Sequence, residues 1–227
     1  MKYDWDKLKM HNEGPFLAID PGVNFIFLRA NRDLLLLANH LGYSKNIDEI
    51  KNWIKILEEG CQKMWNKNVN AFTAYDRRSN TFCNAISNAS FLCFYADIGS
   101  KVQKQFMIDH CKRILKICNF GMPSLDPSHK SFESKRYWRG PVWSVMNYMI
   151  YEGLENENEF KLAEKIKNDT INLVENNGMA EYFDPQSGDG LGGKDFSWTA
   201  AVHLELLKEK IDIKLKNKFK KKNNVLN

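Results

Sequence analysis

Two tryptophans, a tyrosine and an arginine lie together in residues 137–143, which read YWRGPVW. Apolar faces of a pyranose ring stack on aromatic rings, and sugar hydroxyls accept hydrogen bonds from arginine. The segment therefore indicates a sugar-binding site that includes Trp138, Arg139 and Trp143. The alternative is an aromatic anchor packed in the core at a helix start, since Gly140-Pro141 predicts that a helix begins at Pro141. Base stacking is less favoured, because no cluster of Lys or Arg accompanies these rings.

Glu181 is the acidic residue that the sequence singles out. It follows the break at Asn177-Gly178 and precedes YFDP at 182–185, so it lies on an aromatic loop and not on a solvated helix face. A single glutamate is commonly a surface residue. The aromatic neighbours, Tyr182 first among them, favour a place in a binding site instead.

Other chemical templates are poorly matched. The five histidines form no HExxH or HxxxH pair, so no metal site is predicted. No GxSxG segment is present, and a Cys–His pair stays open as an alternative because chance pairs are common. Residues 188–193 contain GxGxxG, but no strand is predicted before them and no GK[ST] ends them. A flexible loop between helices is favoured over a phosphate cradle, and no cofactor is predicted.

Helical periodicity dominates the chain and predicts an all-α fold of about seven helices. Asp20 and Pro21 give the first helix an N-cap and a first residue. A small hairpin is predicted over 71–80. Two connections, 118–140 and 178–196, are long for helix–helix loops and carry the candidate residues, as functional loops commonly do. The predicted helices span 20–41, 47–65, 84–98, 101–117, 141–155, 159–175 and 197–210.

The net charge of +5 comes from the C-terminal end, where residues 208–227 hold eight lysines against Glu209 and Asp212. We predict one domain over 1–211 and a basic tail over 212–227. The nearly neutral remainder argues against a nucleic-acid partner, although a basic amphipathic tail helix stays an alternative for nucleic acid or anionic membrane.

No stretch approaches the ~20 apolar residues of a membrane span, and the N-terminus lacks the apolar segment of a signal peptide. We therefore predict no membrane partner. The five cysteines contain no CxxC pair, and Cys61 and Cys111 fall on apolar helix faces. A reduced, cytoplasmic protein is the expectation.

Taken together, these segments resemble the C-terminal half of the (α/α)6-toroid glycosidases. The resemblance is to glycoside hydrolase family 63 and the related mannosylglycerate and glucosylglycerate hydrolases, with trehalase as a more distant relative. It covers most of the chain. The fragments that carry it, in order, are DPGVN at 20–24 running into LRANRDL at 28–34, the Tyr-Asp hairpin at 72–82, PSL at 123–125 with YWRGPVW at 137–143, and EYFDP at 181–185 closed by FSWTAA at 196–201.

The resemblance implies inverting hydrolysis of an α-glycoside, in which one carboxylic acid protonates the glycosidic oxygen and a second carboxylate activates water. The two groups stand ~6.5–9.5 Å apart in such enzymes. Glu181 corresponds to the general base, and residues 188–193 to a loop that lets backbone approach the sugar. The implied substrate-binding residues are Trp138, Arg139, Trp143, Tyr182, Trp198, Asn24 and Asp20.

The chain departs from the family at the general acid. In the family this is an Asp in a Glu-Ser-Gly-x-Asp-type motif, some tens of residues before the segment matching Asp20. Residues 1–19 contain no such motif, and Asp4 and Asp6 lack its Gly and Ser neighbours. We therefore expect a truncated or split member with about seven of twelve helices. Its expected partners are a carbohydrate and either an upstream half-domain or a second copy. The alternative is a non-catalytic helical module that binds carbohydrate or another protein.

Overall fold

The computed structural model describes residues 4–15 and 17–208. The predicted basic tail, 212–227, lies outside this part of the chain. Within it, no helix combines the length and apolar character that crossing a membrane requires. The chain divides into two compact units, Met1–His110 and Cys111–Asn227, which are described separately.

Two helices of the first unit begin at a capping aspartate. Asp20 caps the second helix as predicted, with its Oδ1 accepting a hydrogen bond from the Val23 amide at 2.8 Å. Asp6 caps a first helix that the sequence did not predict. The helices are α1 (Lys7–Glu13), α2 (Pro21–His40), α3 (Ile47–Gln62), α4 (Leu92–Tyr95) and α5 (Lys101–Ile117), with a 3-10 turn at Asn88–Phe91 before α4 and with α5 continuing into the second unit.

Helix α2 packs against α3 and carries apolar residues on two faces. Phe25 and Leu28 are fully buried, whereas Phe27 is 56% exposed. Helices of globular proteins usually bury a single apolar stripe. The second stripe of α2, together with α3, lines an open apolar groove of about 470 Å³. Its lining residues are Phe27, Ala30, Asn31, Leu34, Trp53, Ile56 and Leu57.

Short strand pairs link these helices, and they correct two predictions. The hairpin predicted over 71–80 is wrong in its pairing, because residues 71–72 pair with 65–66, while 75–76 pair with both 18–19 and 81–82. The helix predicted over 47–65 ends at Gln62 because Trp65 is drawn into a strand opposite Phe72. The strands are β1 (Ala18–Ile19), β2 (Trp65–Asn66), β3 (Ala71–Phe72), β4 (Tyr75–Asp76) and β5 (Thr81–Phe82).

The helix predicted over 84–98 is much shorter than expected. Ser87 and Ser90 form a capping box that starts the 3-10 turn at residue 88. Asp97 adopts a positive φ of 47°, which closes the segment after α4. Apolar periodicity in 84–98 therefore reflects burial of a turn and one short helix.

The second unit contains the helical hairpin α6 (Ser144–Asn156) and α7 (Phe160–Asn177), and residues 197–208 form a further helix, α8. Ile171 of α7 packs with Val202 and Leu206 of α8 in one buried cluster. Gly178 caps α7, at the break that the sequence marked. A two-stranded hairpin, β6 (Tyr182–Phe183) and β7 (Gly190–Leu191), lies between α7 and α8.

No disulfide joins the five cysteines, all of which lie in the described part of the chain. Cys61 and Cys111 are buried, as their positions on apolar helix faces predicted. Burial raises the pKa of the Cys111 thiol to about 12, with the charge of Glu159 adding to the effect. Cys111 therefore stays protonated and acts as a small apolar side chain.

The long loop before α6 is fastened to the helices by polar side chains. Buried Asn147 on α6 exchanges two hydrogen bonds of 2.8 Å with the backbone of Met122. Arg113 on α5 binds both carboxylate oxygens of Asp126. Burial opposes ionisation of Asp126, but hydrogen bonds from Arg113 and Ser128 outweigh it and hold the pKa of that carboxyl below its usual value.

Two phenylalanines of α2 provide a matched test of the packing. We expect Phe25→Ala to lower the free energy of unfolding by about 3–5 kcal/mol, because it leaves a cavity in the core. Phe27→Ala should cost much less, about 1 kcal/mol or below, since that residue is more than half exposed. Urea unfolding followed by circular dichroism measures both, and equal losses would contradict the described burial.

Removal of the Asp126 carboxylate should alter how stability depends on pH. Because the folded-state pKa is lowered, the stabilisation is fully present above about pH 4, the unfolded pKa of Asp. It is lost as the pH falls through the folded pKa. Asp126→Asn should cost about 1–3 kcal/mol at pH 7 and converge towards wild type in acid.

The fully exposed Asp48 carboxylate provides the control. Asp48→Asn should leave the stability within about 0.5 kcal/mol of wild type across the same pH range. Denaturant midpoints between pH 2 and 7 measure all three proteins. A constant difference between Asp126→Asn and wild type down to the lowest pH would contradict the assignment.

Candidate functional site

An aromatic stack is the most prominent feature of the second unit. Trp138 and Trp143 lie parallel, with ring centroids 3.9 Å apart and planes within 2°. Trp143 stacks on its other side against Tyr182, at 5.0 Å and 28°. Tyr137 meets all three rings edge-on. The stack therefore joins residues from both of the long loops that the sequence marked.

Backbone pairing places these rings opposite one another. Val142 bridges Phe183 in an antiparallel arrangement, with N–H···O bonds of 2.8 and 2.9 Å in the two directions. In that register residue 143 faces residue 182, so Trp143 meets Tyr182. The prediction that a helix begins at Pro141 is wrong, because residues 141–143 are held extended by this pairing and α6 begins at Ser144.

The two tryptophans have different roles in the stack. Trp143 is only 2% exposed, and its Nε1 donates a hydrogen bond to the Tyr137 carbonyl at 3.1 Å. Trp138 is 42% exposed, so it is the outermost of the stacked rings that a ligand can reach. The alternative of an aromatic anchor packed in the core therefore fits Trp143. Its buried ring stacks against the exposed ring of Trp138.

Arg139 is held at the rim of the stack by Glu133. Their side chains form an ion pair, and the Glu133 amide donates to the Arg139 carbonyl at 2.8 Å. A side chain at Gly140 would lie 2.1 Å from the Glu133 carbonyl oxygen, which accounts for glycine there. The sequence did not single out Glu133, because the partner is set by loop closure and not by a fixed spacing.

Glu181 lies immediately before β6, half-buried, and forms a reciprocal pair with Gly193. The Gly193 amide donates to Glu181 Oε2 at 3.0 Å, and the Glu181 amide donates to the Gly193 carbonyl at 2.9 Å. A Cβ at Gly192 would lie 2.6 Å from both Glu181 Oε2 and Tyr182 Cε1. The carboxylate therefore lies at the edge of the aromatic stack.

The glycine-rich segment 188–193 contains strand β7, the end of the turn before it and the two residues after it. The expectation that no strand precedes these glycines is wrong, since β6 comes directly before the turn. The glycines bring backbone to the Glu181 carboxylate. From Gly190 onward the segment lines a cavity of about 290 Å³, whose other wall is formed by residues 177–180.

Lys135 connects the two loops electrostatically, and sequence reasoning missed it. Its Nζ lies 2.9 Å from Asp189 Oδ2 and 3.7 Å from the buried carboxylate of Asp184. The hydrogen bond from Lys135 to Asp189 lowers the pKa of that carboxyl and raises the pKa of Lys135. The charge pair joins the loop carrying Trp138 to the hairpin that follows Glu181.

Trp198 lies in the first turn of α8 and is mostly exposed. Thr199 Oγ1 donates to the Ala180 carbonyl at 2.7 Å, and the Phe196 amide donates to the Met179 carbonyl at 2.8 Å. These bonds tie the start of α8 to the residues just before Glu181.

Asp20 and Asn24 belong to the first unit, where both serve the start of α2. Asp20 Oδ1 caps the helix, and Asn24 Nδ2 donates to the Asp20 carbonyl at 2.7 Å. Their place in a sugar pocket stays a prediction. Across residues 4–15 and 17–208, no group of three His, Cys, Asp or Glu side chains is placed to hold a metal ion.

Comparison with known proteins bears on both fold and family. Residues 1–199 match the model of the mannosylglycerate hydrolase MGH1-like glycoside hydrolase domain. Mannosylglycerate hydrolase MGH1 from Selaginella moellendorffii is 35% identical over 204 residues, which are 90% of this chain and 42% of that protein. Both likenesses extend over most of the chain, and the chain spans less than half of this relative's length.

Comparison with solved structures points to the same family. The crystal structure of a GH63 mannosylglycerate hydrolase from Thermus thermophilus in complex with Tris matches at a TM-score of 0.84 and 33% identity, covering 89% of this chain and 49% of that one. Neutral trehalase from Saccharomyces cerevisiae matches at a TM-score of 0.63 and 19% identity, covering 84% and 38%, which shows the fold alone. The predicted helical fold of the toroid glycosidases is thereby confirmed. This chain belongs to the mannosylglycerate hydrolase MGH1-like family of glycoside hydrolase domains.

Proposed function

We propose that the chain supplies the general-base side of an inverting glycoside hydrolase site, with Glu181 as the base. The observation that carries this is a carboxylate fixed at the edge of an aromatic stack. One oxygen, Oε2, is held by the Gly193 amide, and the other has no hydrogen-bond partner among the described residues. An activated water needs such an acceptor on one side and a bound sugar on the other.

The reaction is a single displacement at the anomeric carbon. Glu181 takes a proton from water as the water oxygen bonds to C1 on the face opposite the leaving group. The bond from C1 to the glycosidic oxygen breaks, and a general acid delivers a proton to that oxygen. An α-glycoside thus yields a sugar of inverted, β configuration and a free alcohol. No residue of this sequence is assigned as the acid, which we place in the part of the relatives' length that the chain does not span.

The substrate class in this proposal is a glycoside of glycerate, with mannosylglycerate first. The likeness to mannosylglycerate hydrolases over 90% of the chain supports it. The exposed face of Trp138 stacks on the pyranose, and Arg139, half-exposed, donates to sugar hydroxyls. Trp143 and Tyr182 hold Trp138 in place. Trp198, Asn24 and Asp20 are further wall residues in the proposal.

A second candidate function is carbohydrate binding without hydrolysis. The stacked rings favour it, because stacking a sugar on Trp138 requires no general acid. In that case the expected partner, an upstream half-domain or a second copy, would stabilise the fold of this chain and would not need to supply a general acid.

A cytoplasmic location is also part of the proposal. Burial raises the pKa of the Cys61 thiol to about 11, despite the charge of Arg32, so the thiol stays protonated in the core. Buried free thiols of this kind suit a reducing compartment.

Replacing the base should stop hydrolysis and spare binding. We expect Glu181→Gln to lower turnover by about 10²–10⁴-fold, the usual contribution of general-base catalysis. The substrates are mannosylglycerate, glucosylglycerate and α-linked gluco-oligosaccharides, tested with the chain alone and with the product of any in-frame segment upstream. Proton NMR of the first-formed anomer should show the β sugar.

Exposed Glu175 on α7 gives the control for this experiment, and Glu175→Gln should turn over like wild type. Hydrolysis by Glu181→Gln at the wild-type rate would remove Glu181 from the mechanism. Sugar binding without hydrolysis in either preparation would favour the second candidate function.

Loss of the outer ring should weaken sugar binding. We expect Trp138→Ala to raise the Kd for mannosylglycerate about tenfold, equivalent to ~1.4 kcal/mol, because the stacking surface is removed. Trp138→Phe should keep most of the affinity. Trp53, exposed to 41% and outside the ring stack, is the matched control, so Trp53→Ala should bind normally. Isothermal titration calorimetry measures all four proteins, and equal affinities would contradict the role of Trp138.

A further inference from the structure

The two carboxylate oxygens of Glu181 have different surroundings. Oε2 accepts the hydrogen bond of 3.0 Å from the Gly193 amide, while Oε1 has no such partner in the described part of the chain. The backbone of the same two residues is paired in the opposite direction, at 2.9 Å. This double connection fixes the position and the rotation of the carboxylate relative to the β6–β7 hairpin.

Gly192 makes this arrangement sterically feasible. Its φ of +74° lies in the region that glycine favours, and it turns the chain so that the next amide points at Glu181. A Cβ here would lie 2.6 Å from Oε2 and 2.9 Å from the Glu181 Cβ, so any side chain at this position would force the Glu181 side chain to move. A Cβ at Gly193 would lie 3.6 Å from Oε2, an ordinary contact. The steric restriction is therefore specific to residue 192.

We propose that Gly192 and the Gly193 amide are the positioning device of the base, holding Oε2 so that Oε1 is the oxygen that takes the proton from water. This rests on the proposed function of Glu181. A carboxylate hydrogen-bonded through one oxygen keeps a defined direction for its remaining lone pairs. Gly192 acts through Glu181 and does not touch the reacting atoms.

The hydrogen bond is testable on the full chain without any turnover. In a sample labelled with ¹⁵N-glycine, the Gly193 amide is identified by its loss in Gly193→Ala. We expect its proton resonance to move when Glu181 is protonated in acid, and the movement to disappear in Glu181→Gln. Gly192→Ala should also abolish it, because the added methyl displaces the carboxylate. The other glycine resonances report whether each variant is folded.

Gly42 is the matched control for backbone strain. Its φ is +68°, close to that of Gly192, but a Cβ there meets nothing within 4 Å. Gly42→Ala therefore carries the same left-handed strain without a collision, and it should leave the response of the Gly193 amide intact. The proposal is wrong if the Gly193 amide resonance still moves in acid in Glu181→Gln. It is also wrong if that movement is the same in Gly192→Ala as in the wild type.

Kinetic measurements distinguish the positioning role of Gly192 from the proposed function of Glu181 on which it rests. In a preparation that hydrolyses substrate, Gly192→Ala should lower kcat by about 100-fold through misplacement of the base. KM should rise much less, by about threefold or below, since the added methyl meets Tyr182 but not Trp138, the ring proposed to stack on the sugar. Wild-type kcat in Gly192→Ala together with an inactive Glu181→Gln overturns the positioning role and leaves the function standing. Full activity in Glu181→Gln overturns the proposed function itself.

Discussion

The antiparallel bridge between Val142 and Phe183 is the interaction on which the second unit's site depends. Its two hydrogen bonds join loops that are about 40 residues apart in sequence, and they set which side chains meet. If the pairing shifted by one residue, the side chain of Trp143 would lie on the opposite face of the paired segments, away from Tyr182. Trp138 would then lose its support, and Glu181 would lose its place beside the rings. The aromatic stack is thus a consequence of backbone register.

Side-chain contacts near this bridge also connect the two long loops to each other and to the neighbouring helices. Asn147 fastens the start of the long loop to α6, and Lys135 joins its later part to Asp184 and Asp189. Thr199 connects α8 to the residue before Glu181. Each contact is modest alone, because a single hydrogen bond or an exposed ion pair adds little net stability. Together they hold two long loops as one rigid surface, which pre-organises a binding site at lower entropic cost.

The helices and the identity of the important loops could be predicted from sequence because both depend on local signals. Apolar periodicity and the caps at Asp20 and Gly178 located most helices to within a few residues. Pairing between distant segments carries no such signal. The extended run 141–143, the pairing of residue 65 with residue 72, and the Glu133–Arg139 and Lys135–Asp189 ion pairs all depend on contacts formed only in the folded chain. The aromatic loop marked Glu181 and family resemblance gave its expected role, whereas its connection to Gly193 became visible only in three dimensions.

The second apolar stripe of α2 has a thermodynamic consequence. Phe27 and Leu34 are 56% and 43% exposed, so part of the hydrophobic free energy they carry is realised only when something covers them. Whatever binds there stabilises the folded state by mass action, and the gain grows with the logarithm of its concentration. The melting temperature of this unit would then rise with the concentration of any partner that covers the groove.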